Sequence, residues 1–180
     1  TLSDSSWFQG TADAVRKHMG HFLNHRFDHI LILSGDQLYN MNFHQVLTQH
    51  VRNQAELTVA TIPVNRKAVT DFGIMQIDEK HRIREFVEKP KEPEVIDSLK
   101  LPDTTCQDLK IKATDEQFLA SMGIYVFNRD VLVDLLENDH ADFGKHIIPE
   151  AIRTRRAYSY VYQGYWEDVG TIKTFFDANL

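Results

Sequence analysis

The stretch "HILILSGDQLYNM", His29 to Met41, decides the fold. Its apolar, β-prone residues Ile30–Leu33 predict a buried strand, and Ser34-Gly35-Asp36 then turns the chain. A carboxylate at the end of a hydrophobic strand costs desolvation free energy unless a partner compensates it. Two interpretations of Asp36 are therefore open. It either accepts backbone hydrogen bonds in the turn, or it binds a ligand beyond the carboxyl end of the strand.

The segments on both sides of this strand alternate between helix and strand. Apolar residues at helical spacing predict a helix over Thr11–Asn24 and another over Phe43–Asn53. The short β-branched run Leu57–Ile62 predicts a second strand, which Pro63 ends. Such an alternation within about fifty residues is typical of a parallel sheet with crossover helices.

The remaining patterns predict a more varied second half. Alternating apolar and polar residues predict an antiparallel hairpin with arms Gly73–Ile77 and Ile83–Phe86. Lys91–Gln117 is predicted to be a long loop with a short helix near Val95–Leu99. The other predicted elements are the strands Phe118–Phe127 and Ala157–Tyr162, and the helices Arg129–Glu137, Gly144–Arg155 and Thr171 to the end. The predicted fold class is α/β, with a Rossmann-like, mixed and mostly parallel sheet flanked by helices.

Length and composition limit the classes of function. A chain of 180 residues can form one domain with a sizeable core or two small domains, and a single cysteine cannot form an internal disulfide. The net charge of −6 argues against nucleic acid or an anionic membrane as a partner, although it allows a small anionic substrate. We find no pattern of a signal peptide or membrane span, which indicates a cytoplasmic protein. Because the chain starts at Thr1 without a methionine, we interpret it as part of a longer protein.

A second acidic candidate is Asp168, in "YWEDVGT" between a predicted strand and helix. Glu167 and Asp168 point in opposite directions if the strand continues, so only one of them can face a given cleft. Both acids could instead complement the dipole of the following helix. Two aspartates at strand ends, Asp36 and Asp168, could share Mg²⁺, which binds one or two carboxylates together with substrate phosphates.

Two further motifs are weaker candidates. Glu88-Lys89-Pro90 ends the predicted hairpin, where a lysine would suit a phosphate, although a solvated hairpin end is the better explanation of this motif taken alone. In the segment before the first helix, Gly10 allows close backbone approach and Thr11 is expected to cap the helix. The amides of that helix N-terminus could meet a ligand, or the segment could simply start the helix. Glycine-rich loops of the Rossmann and P-loop types are absent from the sequence.

Seven motifs in one order resemble a known family. They are "WFQGTADAVR", "LILSGDQLY", "DFGIMQID", "FVEKP", "ASMGIYVF", "DFGKHIIPEAI" and "YWEDVGTIKTFFDANL". Together they resemble the sugar-1-phosphate nucleotidyltransferases, and within that family the bacterial glucose-1-phosphate adenylyltransferases. The resemblance implies a fold of the nucleotide-diphospho-sugar transferase type and the conversion of ATP and glucose 1-phosphate to ADP-glucose and diphosphate, in glycogen synthesis. Use of dTTP, UTP or GTP, and a catalytically silent regulatory subunit, remain as alternatives.

The resemblance also implies roles for individual residues. Asp36 and Asp168 would hold Mg²⁺, Asp36 and Lys89 would be the catalytic residues, and Lys89 would bind the sugar phosphate. Glu88 would bind sugar hydroxyls, and Gly73 and Ser121 would line the sugar pocket. The nucleotide-binding residues would be Phe8, Gln9, Gly10 and Thr11, near the adenine and ribose. The family often has tyrosine in place of Phe8, so this ring keeps stacking but loses a hydrogen bond.

The resemblance further implies that residues 1–180 are the carboxy-terminal part of a catalytic domain. The family's amino-terminal Gly-rich loop, with its Arg and Lys, and its carboxy-terminal β-helix are not in this sequence. We therefore expect the fragment alone to be inactive and the full-length protein to be a homotetramer.

Overall fold

The computed structural model describes residues 7–111 and 115–179. Within them the helices are α1 (Thr11–Leu23), α2 (Phe43–Arg52), α3 (Pro93–Ser98), α4 (Asp103–Asp108), α5 (Arg129–Leu135), α6 (Ile148–Thr154) and α7 (Ile172–Asp177). The strands are β1 (His29–Leu33), β2 (Gln37–Tyr39), β3 (Leu57–Asn65), β4 (Gly73–Ile77), β5 (Ile83–Glu88), β6 (Gln117–Asn128), β7 (Ala157–Val161) and β8 (Trp166–Asp168). A 3-10 helix covers Arg66–Asp71, and a π-helical turn covers Phe143–Ile147.

The long strand β6 organises the main sheet. The strand order is β5-β4-β6-β3-β7, and β1 also pairs with β6. β6 is antiparallel to β1, β3 and β4, and β5 is antiparallel to β4, so β3 and β7 form the one parallel pair in the described chain. The α/β mixed sheet is confirmed, but the prediction of a mostly parallel sheet is wrong. β1 and β3 point the same way, as the crossover helix α2 requires, yet β6 lies between them.

Apolar residues of β6 fill both faces of the sheet, as its near-continuous apolar sequence indicates. Leu119 and Phe127 join the largest buried cluster, whereas Phe118 and Met122 join clusters built from the alternate positions of the strand. All four side chains are fully buried. β6 is therefore packed against buried side chains on both faces of the sheet, and this packing fixes the positions of the side chains that it carries.

Several predicted element bounds need correction. β3 continues through Pro63 to Asn65 instead of ending before the proline. β7 pairs with β3 only as far as Thr61, so β3 has a single neighbour at Pro63, where a missing N–H is tolerated. The predicted long loop after Lys91 contains α3 and α4, of which α3 confirms the helix expected near Val95–Leu99. Part of that loop lies outside the described residues.

β2 and β8 form a separate two-stranded antiparallel sheet that the sequence patterns do not predict. Each strand has three residues, which is too short for a hydrophobic period to be recognised. Gln37 pairs with Asp168, and Tyr39 pairs with Trp166. This small sheet joins the segment after β1 to the segment before α7. Among the described helices, none has the length and apolar character needed to cross a membrane.

Candidate active site

Asp36 and Asp168 lie side by side at one end of the small sheet. Asp36 directly precedes β2, and its carbonyl oxygen accepts a hydrogen bond of 2.9 Å from the amide of Val169. A β-carbon built on Gly170 would lie 2.9 Å from Oδ1 of Asp168 and 3.6 Å from Oδ2 of Asp36. The two carboxylates therefore converge on the space that the absent side chain of Gly170 leaves open.

The hydrogen bonds of the two aspartates differ. Oδ1 of Asp168 accepts a bond of 2.9 Å from the amide of Gly170, which fixes its orientation. The carboxylate of Asp36 accepts no hydrogen bond from the residues that the structure describes, so the interpretation of Asp36 as a backbone-bonded turn residue is not supported. No group of three or more His, Cys, Asp or Glu side chains in the described ranges is arranged to hold a metal ion. Two carboxylates around an open space fit Mg²⁺, which completes its coordination with water and phosphate oxygens.

A cleft of about 690 Å³ extends from this pair of acids between the main sheet, α1 and the π-helical turn. Seven of the residues predicted for the site line it, namely Thr11, Asp36, Gly73, Glu88, Lys89, Ser121 and Asp168. Phe8, Gln9 and Gly10 do not belong to its lining. The cleft therefore brings together the predicted metal, phosphate and sugar residues, and leaves most of the predicted nucleotide segment at its margin.

Glu88 ends β5 with a half-buried carboxylate between two glycines. A β-carbon on Gly73 or on Gly144 would lie 2.8 Å from Oε2 of Glu88. Burial raises the pKa of Glu88; the ammonium of Lys89 opposes that shift, while the nearby carboxylate of Asp142 adds to it. The influences on Glu88 from described residues are burial and nearby charges and include no hydrogen bond, so its oxygens can accept hydrogen bonds from a ligand.

Lys89, the residue after Glu88, has an unusual backbone conformation. Its φ is 46°, in the left-handed region that a residue with a side chain rarely adopts, and Pro90 comes next. The amide of Lys89 donates a hydrogen bond of 3.1 Å to the carbonyl of Phe72, which holds the bend. Strained residues of this kind concentrate at functional sites. The bend turns the exposed Lys89 side chain out of the strand direction and into the lining of the cleft.

A bulge in β6 forms the floor of the cleft. The register with β3 shifts between Val59 and Thr61, opposite the part of β6 that holds Gly123, and Gly123 has a φ of 67°. On one side of the bulge, burial raises the pKa of Tyr125 to about 12, and the neighbouring Ser121 hydroxyl opposes that shift. Tyr125 therefore keeps its proton and remains a hydrogen-bond donor at any physiological pH.

Comparison with known protein families agrees with this geometry. The family model described as nucleotidyl transferase matches residues 2–180. The chain belongs to the nucleotidyl transferase family. Its members are enzymes that act on nucleotides and sugar phosphates. The cleft with its paired aspartates is thus the candidate active site of a nucleotidyl transferase.

The N-terminus of α1 in this nucleotidyl transferase differs from the prediction. Gly10, not Thr11, is the N-cap, and the helix has no side-chain cap. The carbonyl of Ala141 accepts hydrogen bonds from the amides of Ala12 (2.8 Å) and Asp13 (3.2 Å). Thr11 Oγ1 instead accepts a bond of 3.2 Å from the amide of Phe143. These amides are therefore not available to a ligand, and α1 is tied to the wall of the cleft.

The predicted nucleotide segment before α1 is ordered by local contacts. The amide of Gln9 donates to Oδ2 of Asp13 at 2.9 Å, and the ring of Phe8, 55% exposed, lies 5.5 Å from Nζ of Lys17. A β-carbon on Gly10 would collide with the carbonyl oxygen of Ala141, which explains the glycine by packing. Phe8 and Gln9 remain predictions for nucleotide binding.

Sequence reasoning missed two groups of residues in the cleft. Tyr125 and Asp142 both line it, and Phe143 stacks on Tyr125 with ring centroids 5.7 Å apart. A signal for Asp142 was present, because "DFG" occurs both at 71–73 and at 142–144, and all six residues line the cleft. A repeated tripeptide in a chain without longer repeats is a pattern that could have singled out Asp142.

Proposed function

We propose that this chain is part of a glucose-1-phosphate adenylyltransferase, also called ADP-glucose pyrophosphorylase, acting in glycogen biosynthesis. The observation that carries the proposal is the convergence of Asp36 and Asp168 at Gly170, in a cleft shared with Lys89 and Glu88. Paired carboxylates beside a lysine suit a magnesium-bound polyphosphate next to a sugar phosphate. The choice of adenine and glucose rests on the seven motifs, which resemble those of that group of enzymes.

The proposed reaction is a displacement at phosphorus. A phosphate oxygen of glucose 1-phosphate attacks the α-phosphorus of ATP, and the bond to the bridging oxygen breaks so that diphosphate leaves with the electron pair. In such a reaction the protein contributes by positioning and by electrostatic stabilisation. When bound by Asp36 and Asp168, Mg²⁺ would neutralise charge on the phosphates.

The residues at the sugar end have separate proposed roles. The ammonium of Lys89 binds the phosphate of glucose 1-phosphate as a mobile point charge. The half-buried carboxylate of Glu88 accepts hydrogen bonds from sugar hydroxyls. Gly73 allows the sugar to approach the backbone, and Ser121 contributes a hydroxyl to the same pocket. Asp142 is a further acceptor within reach of this end.

The nucleotide is proposed to bind at the α1 end of the cleft. Thr11 lines the cleft, and the exposed ring of Phe8 is available to stack on a base. Gln9 and Gly10 would then lie beside the adenine and ribose. A Gly-rich loop with Arg and Lys, outside residues 1–180, is proposed to hold the triphosphate. We accordingly propose that this chain is the carboxy-terminal part of a catalytic domain in a cytoplasmic homotetramer, and that it is inactive alone.

The experiment is a diphosphate-release assay on the full-length protein, with glucose 1-phosphate and each of ATP, UTP, dTTP and GTP. We expect activity with ATP to exceed activity with the other nucleotides by at least about tenfold. A preference for UTP, dTTP or GTP would replace the adenylyltransferase with another sugar-1-phosphate nucleotidyltransferase. Absence of diphosphate release with every nucleotide, from a protein that still binds glucose 1-phosphate, would indicate the catalytically silent regulatory subunit.

A further inference from the structure

Gln37 lines the candidate active site, and none of the roles proposed above involves it. It directly follows Asp36, is the first residue of β2, and lines the cleft. Its partner in the antiparallel pair is Asp168. Side chains of directly opposed residues project from the same face of a sheet, with β-carbons about 4.5–5.5 Å apart. The amide of Gln37 therefore projects beside the carboxylate of Asp168.

The side-chain amide of Gln37 has an unusual environment. Its Oε1 is buried and has no hydrogen-bond partner among the residues that the structure describes. Its Nε2 lies 3.3 Å from the position that a β-carbon on Gly123 would take, where the backbone has a φ of 67°. The missing side chain of Gly123 leaves room for the hydroxyl of Ser34, which lies nearest, and the Gln37 amide packs beside it. A buried carbonyl oxygen without a partner is costly, and in a native protein it calls for an explanation.

We propose that Oε1 of Gln37 accepts a hydrogen bond from one hydroxyl of the sugar phosphate, and that Gln37 is a specificity-determining residue of this enzyme. The inference deepens the proposed function and rests on it. An uncharged amide oxygen selects O–H and N–H donors, whereas the neighbouring carboxylates of Asp36 and Asp168 attract cations. A sugar hydroxyl would supply the partner that Oε1 lacks.

The position of Gln37 favours the sugar over the nucleotide. Gln37 packs against Gly123, and the amide of Gly123 donates to Oγ of Ser121 at 3.3 Å, so both side chains belong to the floor of the cleft. Tyr125 lies on the same floor. A sugar that lacks the hydroxyl would leave Oε1 unpaired and should therefore bind more weakly. Buried hydrogen-bonding groups generate specificity in this way.

The experiment measures how each hydroxyl contributes to binding in wild type and in Gln37→Met. Glucose 1-phosphate and its 2-, 3-, 4- and 6-deoxy analogues are titrated into the full-length protein, and Mn²⁺ is titrated separately. In wild type we expect one analogue to lose about tenfold in affinity through the contact with Gln37. In Gln37→Met the same analogue should lose less than about twofold relative to glucose 1-phosphate, because the acceptor is absent. Mn²⁺ affinity should stay within about twofold of wild type.

Two further variants complete the design. Gln37→Glu keeps an acceptor oxygen at the same chain length and should keep the penalty of that analogue. Gln45→Met changes an exposed glutamine of α2 whose Oε1 accepts from the Tyr160 hydroxyl, and it should behave as wild type throughout.

Each other outcome overturns the inference. If every deoxy analogue loses as much affinity in Gln37→Met as it does in wild type, no sugar hydroxyl contacts Gln37. If Gln37→Met weakens Mn²⁺ binding while the deoxy analogues lose as much affinity as in wild type, Gln37 contributes to cation binding instead. If wild type binds no hexose 1-phosphate, the proposed function itself fails, and this inference fails with it.

Discussion

Gly73 and Gly144 lie on either side of the Glu88 carboxylate: a β-carbon on either would be 2.8 Å from the same atom, Oε2. The two glycines end the two Asp-Phe-Gly tripeptides, 71–73 and 142–144, which come from distant parts of the chain. The missing side chain of Gly144 leaves space that the carboxylate occupies, and the space left at Gly73 is shared between the carboxylate and the ring of Phe86. Because this space is partly withdrawn from water, burial raises the pKa of Glu88.

Replacing Gly144 with alanine tests whether this space positions Glu88. The new β-carbon would meet Oε2 at 2.8 Å and Cδ at 3.1 Å, and both atoms belong to the end of a flexible side chain. We expect Gly144→Ala to displace the carboxylate and raise the KM for glucose 1-phosphate by about tenfold, with little change in kcat. Gly20→Ala in α1 is the control, because nothing lies within 4 Å of its β-carbon. An unchanged KM in Gly144→Ala would show that Glu88 does not contact the sugar.

Replacing Asp36 with asparagine tests the pair of acids. The change removes one of two negative charges at the Gly170 space and preserves side-chain size. We expect kcat of the full-length protein to fall by about 10²–10³ with an unchanged thermal unfolding midpoint. The matched control is Glu167→Gln, since Glu167 pairs with Leu38 and projects from the opposite face of the small sheet. Near-normal turnover of Asp36→Asn, or an equal loss in Glu167→Gln, would remove Asp36 from the mechanism.

The common direction of β1 and β3 could be predicted from the sequence, but the strand that lies between them could not. β1, α2 and β3 follow the expected strand–helix–strand pattern, and β1 and β3 do run in the same direction. A crossover connection fixes direction without specifying whether another strand enters between the two. β6 enters there because its apolar residues on both faces require a buried central position. Local patterns carry no signal for that choice.

For the candidate site, single positions were predictable and their contacts were not. Asp36 and Asp168 stood out because each was predicted to lie at the end of a strand, but their adjacency depends on a pairing of two three-residue strands. Such a pairing has no period that a pattern could detect. The capping of α1 was predicted wrongly for a related reason, because the acceptor, Ala141, lies far away in the chain. A contact between residues so far apart in the chain depends on the tertiary fold, so local sequence patterns cannot predict it.

Lys89 offers a prediction that separates charge from backbone strain. Its φ of 46° is unfavourable for alanine and acceptable for glycine. We therefore expect Lys89→Gly to be more stable than Lys89→Ala by about 1 kcal/mol in urea unfolding. Both variants lack the ammonium group, so both should raise the KM for glucose 1-phosphate to a similar extent. An unchanged KM in both would discard Lys89 as the phosphate ligand, and equal stability would contradict the assignment of strain.

A histidine cluster at the opposite end of the sheet links stability to pH. His50, 1% exposed, places Nδ1 2.8 Å from Oγ1 of Thr58 and Nε2 2.9 Å from Oδ1 of Asn128. The same Oδ1 lies 3.0 Å from Nδ1 of His29. A neutral His50 satisfies these contacts by donating from Nε2 to Asn128 and accepting the Thr58 hydroxyl proton at Nδ1. Arg156 lines the same hollow and adds a positive charge there.

Acidification should therefore destabilise the fold through His50. Burial is the main cause that lowers the pKa of His50; repulsion by His29 adds to it, and the Asn128 bond opposes it. His50 therefore binds a proton more readily in the unfolded chain than in the folded one. The stability that the neutral His50 contributes is complete above a pH of about 6.5 and falls as the pH drops below that value. Urea unfolding between pH 7.5 and 5 should show that wild type loses more stability than His50→Gln. His44→Gln, at an exposed position of α2, should lose as much as wild type. Parallel curves for wild type and His50→Gln would show that His50 does not couple folding to pH.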